Sequence, residues 1–188
     1  MSLPIVGIGA SAGGLESFSE LLARIPAPTG MVDVFVQHLD PGHASLLVEI
    51  LSKRAGFPVE QAREGVKILP DHLYVITPNT ILTLRGGVLH LRSRDLAEKP
   101  HRPVDAFFHS LAQHRGPNAI GIILSGSGMD GAKGIQAVKQ AGGITFAQVE
   151  SSARFYGMPS SAIRTGWVDF ILSPGDIAQK LINISRHS

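Results

Sequence analysis

The chain has 188 residues, 44% hydrophobic and 17% charged, with a formal net charge of +2 and no cysteine. That composition excludes disulfides, thiolate metal sites and cysteine nucleophiles, and the charge is too small to point to nucleic acid. No apolar run approaches the ~20 residues of a membrane span, no signal-like N-terminus or repeat is present, and the length suits one core, so a single cytoplasmic domain over residues 1–188 is expected.

In chain order, residues 4–8 form a short apolar run that predicts a strand. Leu15, Phe18, Leu22 and Ile25 then share one helical face, and Pro26 stops the helix. Residues 32–37 predict a second strand, followed by a helix whose apolar face carries Leu47, Ile50 and Leu51 and which ends near Gly56. Residues 73–76 and 81–85 read as strands, and Gly86-Gly87 joins the latter to residues 88–92 as a two-residue hairpin. Val104, Phe107, Phe108 and Leu111 mark another helix, and residues 119–124 are apolar in the manner of a strand buried on both faces. Ala132, Ile135, Val138 and Ala141 recur at spacing three until Gly142-Gly143 ends that helix. Residues 144–148 and 168–172 complete the strands, and Ser173-Pro174 opens the last helix with serine at the cap and proline at the first position. This alternation predicts a doubly wound α/β fold: a mainly parallel sheet, helices on both faces, and a small antiparallel hairpin insert.

In such a sheet ligands bind beyond the carboxyl ends of the strands, which directs attention to Ser11, His38 and Asp130. Gly9, Ser11 and Gly13 fit G-x-S-x-G, in which flanking glycines allow a sharp strand-to-helix turn that exposes the serine oxygen. Two milder readings compete: Ser11 as a helix cap, and Gly7, Gly9, Gly13 and Gly14 as a phosphate loop. Gly14 removes the capping-box partner, and Gln37-His38 stand where a dinucleotide site expects an acid. Serine needs a base with a pKa near neutrality, which His38 supplies, and histidine needs an acceptor to orient it, for which Asp130 is the candidate. Asp130 could equally cap the helix that follows it, and His38 could be an ordinary strand-end histidine. His43 could line the same cleft; His72, His90, His101, His109, His114 and His187 show no metal-ligand spacing, and neither a metal nor a cofactor is expected. Asp40 and Glu150 have no partner that marks an acid/base pair.

At this point the sequence resembles the chemotaxis protein-glutamate methylesterases of the CheB type along essentially its whole length. The matching segments are 7–14, Gln37-His38, 124–132, Ala147-Gln148 with Glu150, and 156–159 with Ala162-Ile163. The resemblance implies a serine hydrolase that demethylates glutamyl methyl esters on the cytoplasmic domain of chemoreceptors, and in many members also deamidates receptor glutamines. It puts Ser11, His38 and Asp130 on the family's catalytic positions and suggests backbone oxyanion donors at Ala12 and Ser127. Family members usually carry threonine where Ala12 stands and methionine where Ser127 stands; a backbone N–H survives either change, but the altered cleft leaves a second expectation open, a binding module of the same fold that has lost its chemistry. Typical members also have a phosphorylated receiver domain before the catalytic one. This sequence has none, so control by phosphorylation is not expected of it, and residues 151–155 look like the methylesterase portions fused to a receptor methyltransferase. Arg154 and Arg164 are candidates for a basic rim that would help docking on an acidic receptor helix.

Overall fold

Every residue of the first strand, β1 (Ile5–Ala10), is buried, as a central strand must be when helices cover both faces of a parallel sheet. The computed structural model describes residues 3–38, 44–95, 97 and 99–187. After β1 come α1 (Gly14–Leu22), β2 (Val32–Gln37), α2 (Ala44–Ser52), β3 (Val59–Gln61) and β4 (His72–Val75). A hairpin of β5 (Thr80–Arg85) and β6 (Val88–Ser93) leads to α3 (Pro103–Arg115), β7 (Ala119–Ile123), α4 (Ala132–Gln140) and β8 (Ile144–Gln148). The chain closes with α5 (Gly157–Ile163), β9 (Phe170–Leu172) and α6 (Pro174–Ser185). Seven strands form one sheet in the order β3-β4-β2-β1-β7-β8-β9, all pairs parallel, and the β5-β6 hairpin stands apart as an antiparallel pair. The expected doubly wound architecture is therefore the observed one.

Two apolar layers sandwich the sheet. On one face Phe107, Phe108 and Leu111 of α3, Ile135 and Val138 of α4, and Met158 of α5 pack with Leu82, Leu84 and Leu89 of the hairpin. On the other, Phe18, Leu21 and Leu22 of α1, Leu47 and Leu51 of α2, and Ile177 and Leu181 of α6 surround Phe35 and Phe146. Burial of this kind contributes roughly 1.5–3 kcal/mol per large side chain and is the main term holding the layers together.

The boundaries differ from expectation where small or turn-forming residues sit. The first strand runs on through Gly9 and Ala10 because these pair with Val36 and Gln37 of β2. Helix α1 stops at Leu22, where Arg24 and Ile25 donate to carbonyls only three residues back, yet Ile25 remains buried. Helix α2 ends at Ser52, and Ile50, expected on its apolar face, is 38% exposed. Strand β9 begins at Phe170 rather than 168. Two elements carried no sequence signal. Strand β3 is three residues at the sheet edge, with Glu60 and Gln61 in place of an apolar run. Helix α5 contains Gly157 and Pro159, both poor helix formers.

One buried group does not fit an apolar sheet. Asp33 of β2 is almost wholly inaccessible, and burial, with the nearby Asp71 carboxylate adding repulsion, pushes its pKa up to about 7. Unfolded, Asp33 would ionise near 4, so the native state binds the extra proton between those values and stability must fall as pH rises from about 4 to about 7. The full effect is on the order of 4 kcal/mol. Asp33→Asn should flatten this slope and melt at least ~5 °C above the parent at pH 8, measured by thermal denaturation at a series of pH values. Parallel stability curves for the two proteins would assign the slope to another group.

Candidate active site

The parallel register pairs Ala10 with Gln37, so Ser11 and His38 are the next residues beyond the ends of two adjacent strands, which run roughly 4.8 Å apart. On the other side of β1 the ladder also continues past the strand ends: Leu124 N–H donates to the Gly9 carbonyl (2.9 Å) and Ser11 N–H to the Ser125 carbonyl (3.0 Å). Three strand ends thus meet around Ser11. This is also the point where the winding reverses, since α1 leaves β1 on one face of the sheet and α4 leaves β7 on the other, and such switch points open a crevice.

His38 Nε2 lies 2.7 Å from Asp130 Oδ2. The histidine side chain is 34% exposed and the aspartate 6%. Asp130 also accepts from the backbone N–H of Val104 (Oδ2, 3.0 Å) and of Asp105 (Oδ1, 2.9 Å), the first turn of α3. It therefore caps a helix, but α3 rather than the α4 that follows it; α4 takes Gly131 as its own cap position. A carboxylate can only accept, so the proton of a neutral His38 ring sits on Nε2 and Nδ1 is left as the basic nitrogen.

Ser11 is not a cap. Gly13, in the left-handed region at φ 73°, occupies the cap position of α1 with no side-chain hydrogen bond. Ser173, by contrast, accepts from Asp176 N–H at the head of α6. The Ser11 hydroxyl has no hydrogen-bond partner among the described residues. Its backbone is pinned instead: Gly14 N–H donates to the Ser11 carbonyl (2.9 Å), as does Gln37 Nε2 (3.4 Å). Ser125 ties the loops together, its hydroxyl donating to the Ala12 carbonyl (2.8 Å) and accepting from Phe155 N–H (3.0 Å). Gln148 holds Ser125 in turn, accepting its N–H at 2.8 Å and donating to the Ser152 carbonyl at 2.9 Å.

Ala12 and Ser127 are both exposed, and the loop bearing Ser127 lies against Ser11 through Gly126. Neither backbone N–H is engaged within the described residues. Around them stand Met129, whose sulfur accepts from Arg102 (3.5 Å), and the exposed Phe155 with the Arg154 guanidinium 5.7 Å from its ring. Arg154 also faces Glu16 at 3.7 Å, and Arg164 donates to Ser161 at 3.5 Å. Asp40 and His43 lie outside the described residues. Glu150 is exposed, and His72, His90 and His187 are engaged locally with Pro70, Glu64 and Asn183.

Two residues near the site were not singled out by sequence. His101 lies with its ring centroid 5.6 Å from that of His38, edge to face. Asp105 is buried behind Asp130 and accepts from Gly131 and Gly134 N–H. Its only signal was an acidic residue in the first turn of a helix, a placement shared by many surface helices.

The family model for CheB methylesterase matches residues 6–181. This chain belongs to that family. The crystal structure of the Thermotoga maritima CheB methylesterase catalytic domain superposes with a TM-score of 0.89 at 30% identity, covering 98% of this chain and 100% of that one. A protein-glutamate methylesterase/protein-glutamine glutaminase 1 from Burkholderia pseudomallei (strain 1710b) is 37% identical over 184 residues, 95% of this chain and 50% of the relative. The corresponding protein 2 of Shewanella oneidensis is 38% identical over 182 residues, covering 95% and 52%. The chain spans about half the length of these curated relatives. Within the CheB methylesterase family fold, Ser11, His38 and Asp130 lie at one end of the sheet, just past β1, just past β2 and in the loop after β7.

At Gly126 the β7 loop leaves no room for a side chain against the serine turn. A Cβ there would stand 2.3 Å from Met158 Sδ and 2.9 Å from both Ser11 Cβ and Ser11 N. Gly126→Ala should therefore force the loops apart and lower Tm by about 5 °C, on the scale of an overpacked core position. An unchanged Tm in a calorimetric scan would mean that the loop yields freely.

Proposed function

We propose that this chain is a serine hydrolase that demethylates glutamyl methyl esters on the cytoplasmic domain of chemoreceptors, and that the same attack deamidates receptor glutamines. The observation that carries this reading is the 2.7 Å contact between His38 and buried Asp130, one strand away from a serine whose hydroxyl has no partner among the described residues. Membership of the CheB methylesterase family supports it, as do the relatives, which are protein-glutamate methylesterases/protein-glutamine glutaminases by name.

In this reading Ser11 Oγ attacks the side-chain carbonyl carbon while its proton passes to Nδ1 of His38, because Nε2 is committed to Asp130. Asp130 keeps the ring oriented and faces the positive charge that the imidazolium acquires. Backbone N–H groups of Ala12 and Ser127 receive the oxyanion, one such donor being worth roughly 3 kcal/mol in the transition state. His38 then protonates the leaving methoxide, methanol departs, and the glutamyl group remains as an ester of Ser11. A water deprotonated by His38 attacks that ester, Ser11 recovers its proton, and a glutamate side chain leaves. For glutamine the leaving group is ammonia and the steps are otherwise the same. The ester must be supplied by a receptor methyltransferase, with which the chain acts or to which it is joined. Arg154 and Arg164 form the rim that meets the acidic receptor helix.

Methylated receptor membranes incubated with the parent should release methanol. Ser11→Ala, shown to be folded by circular dichroism, should release it at least ~10⁴-fold more slowly. A serine-directed phosphonate should label the parent at Ser11 only. Parent-like release by the folded Ser11→Ala protein would remove the hydrolase assignment from this serine.

A further inference from the structure

Asp105 and Asp130 exchange helix caps. Asp130, ahead of α4, accepts from Val104 and Asp105 N–H at the head of α3; Asp105, in α3, accepts through Oδ1 from Gly131 N–H (3.0 Å) and Gly134 N–H (2.8 Å) at the head of α4. An Asn or Ser would serve such a cap about as well as Asp, without bringing a charge into the interior. Yet Asp105 is buried, and among the described residues its Oδ2 has no hydrogen bond and faces Arg102 Nη1 at 3.6 Å. A carboxylate in that position needs a reason beyond capping. The reason lies in its neighbours: Asp130 from the β7-α4 loop, Arg102 at the head of α3, and beyond Asp130 the ring of His38 with His101 against it.

We infer that ionised Asp105 is a positioning residue for the His38–Asp130 pair, locking the loop that carries Asp130 to α3 and placing a second negative charge behind the imidazole. The inference rests on the proposed hydrolytic roles of Ser11, His38 and Asp130. Burial raises the Asp105 pKa and Asp130 raises it further, while the amides of Gly134 and Gly131 and the Arg102 guanidinium work in the opposite direction. The Gly131 and Gly134 amides and the Arg102 guanidinium are the partners that support an ionised Asp105 among the described residues. Two negative charges behind the ring favour the imidazolium formed when Ser11 gives up its proton.

Asp105→Asn keeps an acceptor for the two amides and removes the charge. With methylated receptor as substrate, KM should stay within about twofold, kcat should fall about tenfold, and the acid limb of the kcat/KM profile should move about 0.5–1 pH unit lower, as loss of a nearby negative charge requires. The His38 ring titration followed by NMR in parent and variant should move the same way, and this readout does not depend on turnover. An active parent with kcat, acid limb and ring titration all unchanged by Asp105→Asn would overturn the inference and leave the hydrolase reading standing. A parent without activity, but with a ring titration that shifts, would do the reverse. If Asp105→Asn does not fold, Asp105→Ser is read in its place. If neither folds where Ser11→Ala does, Asp105 is a structural cap alone and the inference falls.

Discussion

The Asp130 carboxylate is the joint on which the arrangement of this site depends. It accepts three hydrogen bonds at once: two from the head of α3 and one from a histidine at the end of β2. Helix caps are ordinarily local, made by the residue just before the helix. This one reaches across 26 residues, so the cap works as a tertiary tie that fixes a helix, a loop and a ring with one side chain. Fully satisfied buried polar groups specify a single geometry because every alternative leaves an orphan donor in a low dielectric.

That tie needs α3 to come close to the sheet, and β1 permits it. A Cβ at Gly9 would lie 2.3 Å from Val104 Cγ1, so only a glycine there lets the first turn of α3 lie low enough for its amides to meet Asp130. The Gly-rich stretch of β1 thus serves two ends. Its last residues shape the serine turn, while Gly9 sets the height of a helix more than 90 residues further on. The deep burial of β1 follows from the same geometry, since a strand without side chains at Gly7 and Gly9 is covered by the aromatic and aliphatic groups of α3 instead.

The layers of this fold were legible in sequence because their physics is local: apolar runs for buried strands, three-four spacing for helices, Gly86-Gly87 for the hairpin. Positive φ at both glycines, 57° and 79°, is what that hairpin turn asks for. Edge strand β3 and helix α5 were not legible, because tertiary contacts impose them on residues with poor propensity. Leucine 73 N–H, for example, donates to the Pro58 carbonyl beside β3, and Met158 N–H to the Gly126 carbonyl at the start of α5. Ser11 and His38 each follow directly on a strand, so the sequence puts them close on condition that the two strands are neighbours, which the sheet order meets. The reach of Asp130 could not be placed, because it depends on where a helix begins in three dimensions. Asp105 carries no specific sequence signal for the same reason, and the metal-ligand spacing that His101 lacks carries no information about a neighbour that arrives through a loop.

Capping a helix and contacting His38 are not rival uses of the Asp130 carboxylate. A residue that only capped α3 would have no use for the imidazole at 2.7 Å, and one that only oriented His38 would gain nothing from two backbone amides. Together they make the orientation stiff: the carboxylate cannot rotate to follow the ring without abandoning a helix terminus, so the ring must follow the carboxylate. Stiffness of this kind is what the proposed base would need if Nδ1 is to stay aimed while a proton crosses to it. The serine side achieves the same end by different means. Its backbone is held through Ser125, Gly14 and Gln37, which leaves the hydroxyl as the one part of Ser11 that no neighbour among the described residues restrains.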